Sequence, residues 1–313
     1  MPMLRTAGIV LALALSVRAP PALAADFPLA RGETAVGALG RYTIEPGDTL
    51  PDLARRYDLG FTQLQAANPA VDPWLPGVGT RLLLPTLYIL PDALRTGIVI
   101  NLAEERLFYF PRGSGRVETY PIGIAVDGSA TPLGVTRVVR KQANPSWYPP
   151  ASIRAEEPGL PDHVPPGPDN PLGAYALLLG WPDYLIHGTN KPDGIGRSVS
   201  HGCIHLYPED IERLFREVPV TTPVRVVDQP TEAAWIGDAL YVEVHPSHAQ
   251  SDEIDIGRPV TPAIPGDLTA RVLAAAGARA DDVDWPRVER AGLRRSGAPI
   301  RVDRPAESGP GPL

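Results

Sequence analysis

The sequence predicts a mainly β protein that carries a small α+β module near its N-terminus. From Gly97 to Val227, short segments that alternate or run apolar are separated by turn residues, the pattern of successive strands. The chain also holds 38 prolines in 313 residues. Such a load suits short strands and fixed loops, because Pro breaks helix interiors and central strands. Ahead of this region, residues 41–86 place two helix-spaced stretches between two short strands. A chain of this length holds two or three compact units.

In chain order, residues 1–24 have the layout of a secretory signal. Arg5 supplies the charge, Ile9 to Leu15 the apolar stretch, and Ala22-Leu23-Ala24 a small-x-small cleavage site. The apolar run is shorter than a bilayer span and Pro20-Pro21 interrupts it, which argues against an uncleaved anchor. With no Cys after the cleavage site, a lipoprotein anchor is not expected, so the mature chain is expected in the periplasm, free of its membrane. A polar, Gly-rich stretch to about Gly40 reads as a flexible lead. Tyr42-Thr43-Ile44 is then a short strand and Glu45-Pro46-Gly47-Asp48 a turn, followed by Leu50, Leu53, Ala54 and Tyr57 at helical spacing. Thr62 and Gln65 have the spacing of a capping box that opens a second helix, and Asn68-Pro69 stops it. Arg81 to Leu84 closes the module. This order, with the phrase Tyr-Thr-Ile-Glu-Pro-Gly-Asp-Thr-Leu, resembles the lysin motif over residues 41–86. The resemblance implies binding to N-acetylglucosamine-containing chains such as peptidoglycan.

Within residues 96–228, strands are predicted at Gly97 to Leu102, Arg106 to Phe110, Thr119 to Val126, Val135 to Arg140, Ala174 to Leu179, Tyr184 to His187 and Val224 to Val227. Asn144 to Pro171, crowded with Pro and Gly, reads as an ordered loop that serves as a lid or binding surface. A helix is expected from Pro208, with Glu209 and Asp210 at its positive end and Ile211, Leu214, Phe215 and Val218 on one apolar face. Residues 229–302 carry a strand at Leu240 to Val244 and small helices at Leu268 to Ala276 and Val283 to Ala291, with no assignable chemistry. Residues 303–313, rich in Pro and Gly, read as a disordered tail.

The formal net charge of -7 argues against nucleic acid as the main partner, since phosphate binding needs clustered Lys and Arg. Cys203 is the only cysteine. Exported proteins normally pair their cysteines, so a lone thiol is either an inert buried side chain or a reactive one. Its neighbours bear on that choice. Ile186-His187-Gly188-Thr189-Asn190 and Ser198-Val199-Ser200-His201-Gly202-Cys203-Ile204-His205 gather three of the six histidines around the thiol. A catalytic Cys needs a base or cation beside it, and Gly202 allows a sharp turn that leaves the sulfur approachable. The expected helix after the Cys would also favour a thiolate. The same residues offer a different reading as a zinc site built from His187, His201, Cys203 and His205. Against it, His201 and Cys203 stand too close together to share one ion comfortably, and no HExxH element is present. His163, His245 and His248 read as ordinary loop histidines. Trp181 and Tyr184 either flank a groove or join the β core.

The His-Gly-Thr-Asn and Ser-His-Gly-Cys segments, with the leading His and the Cys 203 − 187 = 16 residues apart, resemble the signature of the L,D-transpeptidases. The resemblance covers residues 96–228 and implies a mostly β, sandwich-like catalytic fold. It implies Cys203 as nucleophile and His187 as general base, the carbonyl of Gly188 orienting the imidazole as Asp does in a serine triad, and His201 with nearby backbone N–H groups holding the oxyanion. Ser200, Gly202 and His205 then fall among substrate contacts. The family usually has Arg where this chain has His205; Arg197 is a candidate to compensate, and a structural role for His205 is the alternative. The implied reaction is acyl transfer on peptidoglycan: Cys203 attacks the third-residue carbonyl of a tetrapeptide stem, D-Ala leaves, and an amine resolves the thioester. That amine belongs to a neighbouring stem or to a lysine of an outer-membrane lipoprotein. Water as acceptor would make the protein a carboxypeptidase, and a non-catalytic wall-binding protein is the remaining alternative. No metal or organic cofactor is implied.

Overall fold

In a computed structural model, the described residues are 25–126, 131–200 and 202–304. The secretory signal expected at residues 1–24, and all but the first two residues of the tail expected at 303–313, lie outside them.

The strands are β1 (Ala25–Pro28), β2 (Ala35–Gly37), β3 (Gly40–Thr43), β4 (Arg81–Leu84), β5 (Leu87–Ile89), β6 (Gly97–Asn101), β7 (Arg106–Phe110), β8 (Arg116–Pro121), β9 (Ile124–Ala125), β10 (Gly134–Ala143), β11 (Tyr175–Leu179), β12 (Leu185–His187), β13 (Ser198–Ser200), β14 (Ile204–His205), β15 (Pro223–Val227), β16 (Thr231–Ile236), β17 (Ala239–Val244) and β18 (Ile300–Arg301). The helices are α1 (Leu50–Arg56), α2 (Phe61–Ala67), α3 (Ala151–Glu156), α4 (Pro208–Glu217), α5 (His248–Asp255), α6 (Leu268–Ala276) and α7 (Trp285–Arg294).

The predicted mainly β class holds. A curled nine-stranded sheet, in the order β1-β8-β7-β6-β15-β10-β11-β12-β14, forms the body of the protein. Its central strands run apolar rather than alternating because both faces are buried. Ile98, Ile100, Leu107 and Tyr109 face a core closed by Ile211 and Leu214 of α4 and by Val218 just after it. Val99, Phe108 and Phe110 face Val36, Tyr88 and Leu90 on the other side. Pro208 opens α4 with Glu209 and Asp210 in the first turn, as the sequence requires.

Three expectations need correction. The supposed flexible lead is structured: β1 pairs with β8 at the sheet edge and β2 pairs with β5. Phe27 supplies the apolar contact that holds it there. The capping box at Thr62 and Gln65 does not form, because Gly60 is the N-cap and Thr62 lies inside α2. The free N–H groups of that helix end are met from elsewhere, by the carbonyls of Ile195 and Gly196 (3.2 and 3.1 Å), and the Thr62 hydroxyl donates to Gly196 as well (2.6 Å). The Pro-rich loop after Asn144 is ordered, as the sequence predicts. It contains α3 and a Trp147–Val164 bridge, and buried Asn170 donates to the carbonyls of Pro145, Val164 and Pro165. Finally, Asp303 does not begin a loose tail, for its buried carboxylate accepts from Leu240 N (3.0 Å) and from the Arg301 guanidinium (2.8 Å).

The N-terminal module packs tightly on the sheet. Arg106 of β7, fully buried, donates to the Asp58 carbonyl (2.9 Å) and to Gln63 Oε1 (2.8 Å), and its guanidinium lies 4.2 Å over the Tyr88 ring. Arg55 forms a bidentate pair with Glu209 at 2.8 Å. Residues 229–302 build a module with its own core, in which β17, α6 and α7 bury Leu240, Val242, Leu268, Val272 and Val288.

Candidate active site

The site forms where β12 and β14 lie parallel at one end of the sheet, with Ile186 paired to Ile204 and His187 to His205. Parallel pairing sets the two imidazoles side by side. Their rings tilt against each other at 51°, with centroids 4.4 Å apart. Cys203 stands two residues before His205 on the approach to β14, and the backbone reaches it through Gly202 at φ +113, a conformation open to glycine. The segment is braced from both sides. The Thr131 hydroxyl donates to the Gly202 carbonyl (2.9 Å), the Ser200 hydroxyl donates to the Cys203 carbonyl (2.6 Å), and Gly202 N donates to Ser200 Oγ (3.3 Å). His205 is further locked by a two-way backbone bridge to Gly123.

His187 is buried, and its Nδ1 lies 2.6 Å from the carbonyl of Gly188. A carbonyl only accepts, so Nδ1 carries the proton and Nε2 keeps its lone pair. The tautomer is thereby set by the residue next in sequence. Gly188 is itself confined: a Cβ there would meet Ile211 Cγ2 at 3.0 Å. Burial also depresses the imidazole, to about 4, so it is neutral at pH 7.

Burial acts on the thiol in the opposite direction, pushing Cys203 up to about 11. Its Sγ rests 3.6 Å from the carbonyl of Asp183, at a turn where Asp183 takes φ +67. The expected thiolate at a helix N-terminus does not arise, because β14 and a turn separate the sulfur from α4, which begins only at Pro208. At neutral pH the thiol is thus protonated and the imidazole neutral, with its proton on Nδ1.

The other expected site residues divide. His205 is partly exposed yet held well below the usual imidazole range, by burial first and by His187 second, so it is no cationic stand-in for Arg. Arg197 does not compensate. It forms an ion pair with Asp255 of α5 and lies 3.7 Å over the Phe61 ring, drawn away from the thiol because the loop before it docks on α2. Ser200 is buried and its hydroxyl is engaged within the loop, so it shapes the segment instead of facing a ligand. His201 lies outside the described residues. Trp181 and Tyr184 pack edge-to-face (6.2 Å) against the main core. Two contacts went unread in the sequence, the Asp183 carbonyl and the Thr131 hydroxyl; a Pro182-Asp183 turn was the sole signal for the former. His245 is no ordinary loop histidine, being buried between the carboxylates of Glu232 and Glu243.

Comparison with known proteins gives the family. Residues 95–226 match the YkuD family, described as the L,D-transpeptidase catalytic domain, and residues 42–85 match the LysM domain. The chain is 43% identical over 292 residues to a probable L,D-transpeptidase, YbiS, of Escherichia coli K12, covering 90% of this chain and 93% of that protein. It is 41% identical over 295 residues to the probable L,D-transpeptidase ErfK/SrfK of Salmonella typhimurium, covering 90% and 92%. Among solved structures it is similar to the catalytic domain of the E. faecium L,D-transpeptidase, at 23% identity and a TM-score of 0.34, covering 44% of this chain and all of that one. At such identity across nearly the whole length of YbiS and ErfK/SrfK, the chain belongs to the L,D-transpeptidase family.

Proposed function

We propose that the protein is a periplasmic cysteine acyltransferase acting on peptidoglycan, with Cys203 as nucleophile and His187 as general base. The observation that carries this reading is the 2.6 Å contact between His187 Nδ1 and the Gly188 carbonyl, which leaves Nε2 as a proton acceptor on β12, the strand paired with β14 that follows Cys203. The Cys203 S–H proton passes to Nε2 as the sulfur attacks the carbonyl of the third residue, a diamino acid, in a tetrapeptide stem. The C–N bond to the terminal D-Ala then breaks, with the imidazolium returning its proton to the leaving amine. A thioester remains on Cys203. An amine, either the side chain of a neighbouring stem or a lysine of an outer-membrane lipoprotein, attacks it and releases the thiol. Oxyanion stabilisation falls to backbone N–H groups of the Gly202–Cys203 segment and to His201.

Because the resting pair is neutral, charge develops only as the bond forms. Partial burial favours this sequence, because the imidazolium and oxyanion arise next to fixed dipoles. The lysin-motif module would hold the enzyme on glycan strands. Its contacts through Arg106 and the Ile195–Gly196 carbonyls also make it a wall of the same body.

The test is mass spectrometry of purified stem peptides incubated with the protein. A cross-linked dimer with loss of D-Ala supports a stem acceptor, a conjugate with a lysine peptide the lipoprotein route, and a tripeptide alone a carboxypeptidase. Absence of all three would reject the acyl-transfer reading.

A further inference from the structure

Away from Cys203, the turn between β6 and β7 meets the hairpin of β16 and β17 in the protein interior. Glu104, Glu232, Glu243 and His245 gather there, each no more than 5% exposed. One oxygen of each carboxylate is secured from behind. The Asn101 amide donates to Glu232 Oε1 (2.7 Å) and to Glu104 Oε2 (3.4 Å), and Ile89 N donates to Glu243 Oε2 (2.8 Å). The other oxygens, Glu104 Oε1, Glu232 Oε2 and Glu243 Oε1, have no hydrogen-bond partner among the described residues, and neither has His245 Nε2. Buried polar atoms are rarely left in this state, and four at one place call for a common explanation.

We propose that these four side chains bind a divalent transition-metal ion of the zinc type, a structural site that ties the C-terminal module to the catalytic domain. A carboxylate oxygen each of Glu104 and Glu232 and a ring nitrogen of His245 come within 4.8 Å of one another. His245 Nε2 stands 3.4 Å from Glu232 Oε2 and 3.3 Å from Glu243 Oε1. Those separations exceed a normal N–H···O bond, but ligands about 2.0–2.2 Å from a tetrahedral zinc stand roughly 3.3–3.6 Å apart. Imidazole with carboxylates selects zinc and its neighbours over calcium or magnesium, which prefer oxygen alone. Charge points the same way. Three carboxylates gathered in the protein interior repel one another when ionised. A dication would relieve that repulsion, and the Asn101 and Ile89 donors would orient the ligands from the second shell. The donors come from two modules, Glu104 from the catalytic sheet and the other three from the C-terminal hairpin, so one ion would cross-link them.

The experiment uses the full mature chain carrying Cys203→Ala, so that the catalytic thiol contributes no affinity, expressed into the periplasm and purified without a polyhistidine tag or chelator. Expected are about one equivalent of bound transition metal per chain, chiefly zinc, and an unfolding midpoint that drops on dialysis against chelator and returns with zinc. X-ray absorption at the zinc edge should show nitrogen and oxygen ligands with an imidazole. Glu232→Gln, near-isosteric, should lower zinc affinity at least tenfold; His245→Gln provides the second variant. If either fails to fold, chelation and reloading of the parent protein with the absorption spectrum still decides the question. A parent protein that takes up no zinc in calorimetric titration, with a midpoint indifferent to chelator, would overturn the proposal. So would zinc that stays equally tight in both variants.

Discussion

Alkylation of Cys203 by iodoacetamide should be slow at neutral pH and should accelerate steadily as the pH rises. Burial lifts the thiol from its ordinary value of 9.0 to about 11. Two units correspond to about a hundredfold less thiolate at any pH below the transition, leaving roughly one molecule in ten thousand reactive at pH 7. The chain has a single cysteine, so the label reports on this site alone. Between pH 7 and 9 the rate should rise about tenfold per unit without a plateau. Absorbance at 240 nm should reveal no thiolate in that range. Unfolding in urea at pH 8 should speed labelling by up to about a hundredfold, because the chain then loses the burial that suppresses ionisation. Turnover should behave differently from labelling. It needs neutral His187, whose buried imidazole sits at about 4, so activity should persist well below the usual imidazole range. A labelling plateau already reached at pH 7, with thiolate absorbance, would mean a preformed thiolate–imidazolium pair and would refute the neutral-pair reasoning.

Removing Arg106 should cost about 3–5 kcal/mol in chemical denaturation, because Arg106→Ala strips a buried guanidinium from the Asp58 carbonyl, Gln63 and the Tyr88 ring; a loss under about 1 kcal/mol would show that the module docks by other contacts. Gly196→Ala should slow turnover on a small soluble stem peptide although it lies outside the site. Its Cβ would fall 2.3 Å from Gly60 Cα at φ +74, forcing the loop before Cys203 off α2; wild-type kinetics in that variant would uncouple the module from the site. Stability should fall as the pH drops from about 6.5 towards 4. The folded state holds His187 neutral at about 4 while the unfolded chain protonates from 6.5, a difference of about 2.5 units or roughly 3 kcal/mol. His187→Asn should reduce that acid sensitivity in thermal scans, and an unaltered pH dependence would count against a buried neutral imidazole.

The parts of this protein that depend on local pattern were readable in the sequence. Pro208, Glu209 and Asp210 announced α4, and short apolar runs bounded by turn residues announced the sheet. The proximity of His187 to the Cys203 segment was legible only as a motif; the register of β12 against β14 explains it. What escaped were effects created by long-range packing. Thr62 looks like a cap because its own neighbours suggest one, yet the helix end is satisfied by carbonyls more than 130 residues away. Arg197 looks like a substrate anchor until Phe61 and Asp255 claim it. An activated thiolate was expected from a helix that follows Cys203, and the intervening strand removes it. His245 carried no signal at all, since Glu104 lies 141 residues before it (245 − 104) and only the docking of two modules brings them together.

The central claim is most directly tested by intact-protein mass spectrometry after mixing the enzyme with a tetrapeptide stem and quenching in acid. The wild-type chain should gain the mass of the stem less its terminal D-Ala, mapped to Cys203, with free D-Ala released in equal amount. Cys203→Ala should remain folded and gain nothing, and His187→Ala should acylate about 10²- to 10⁴-fold more slowly. D-Ala release at the wild-type rate from the Cys203→Ala protein would contradict the assignment.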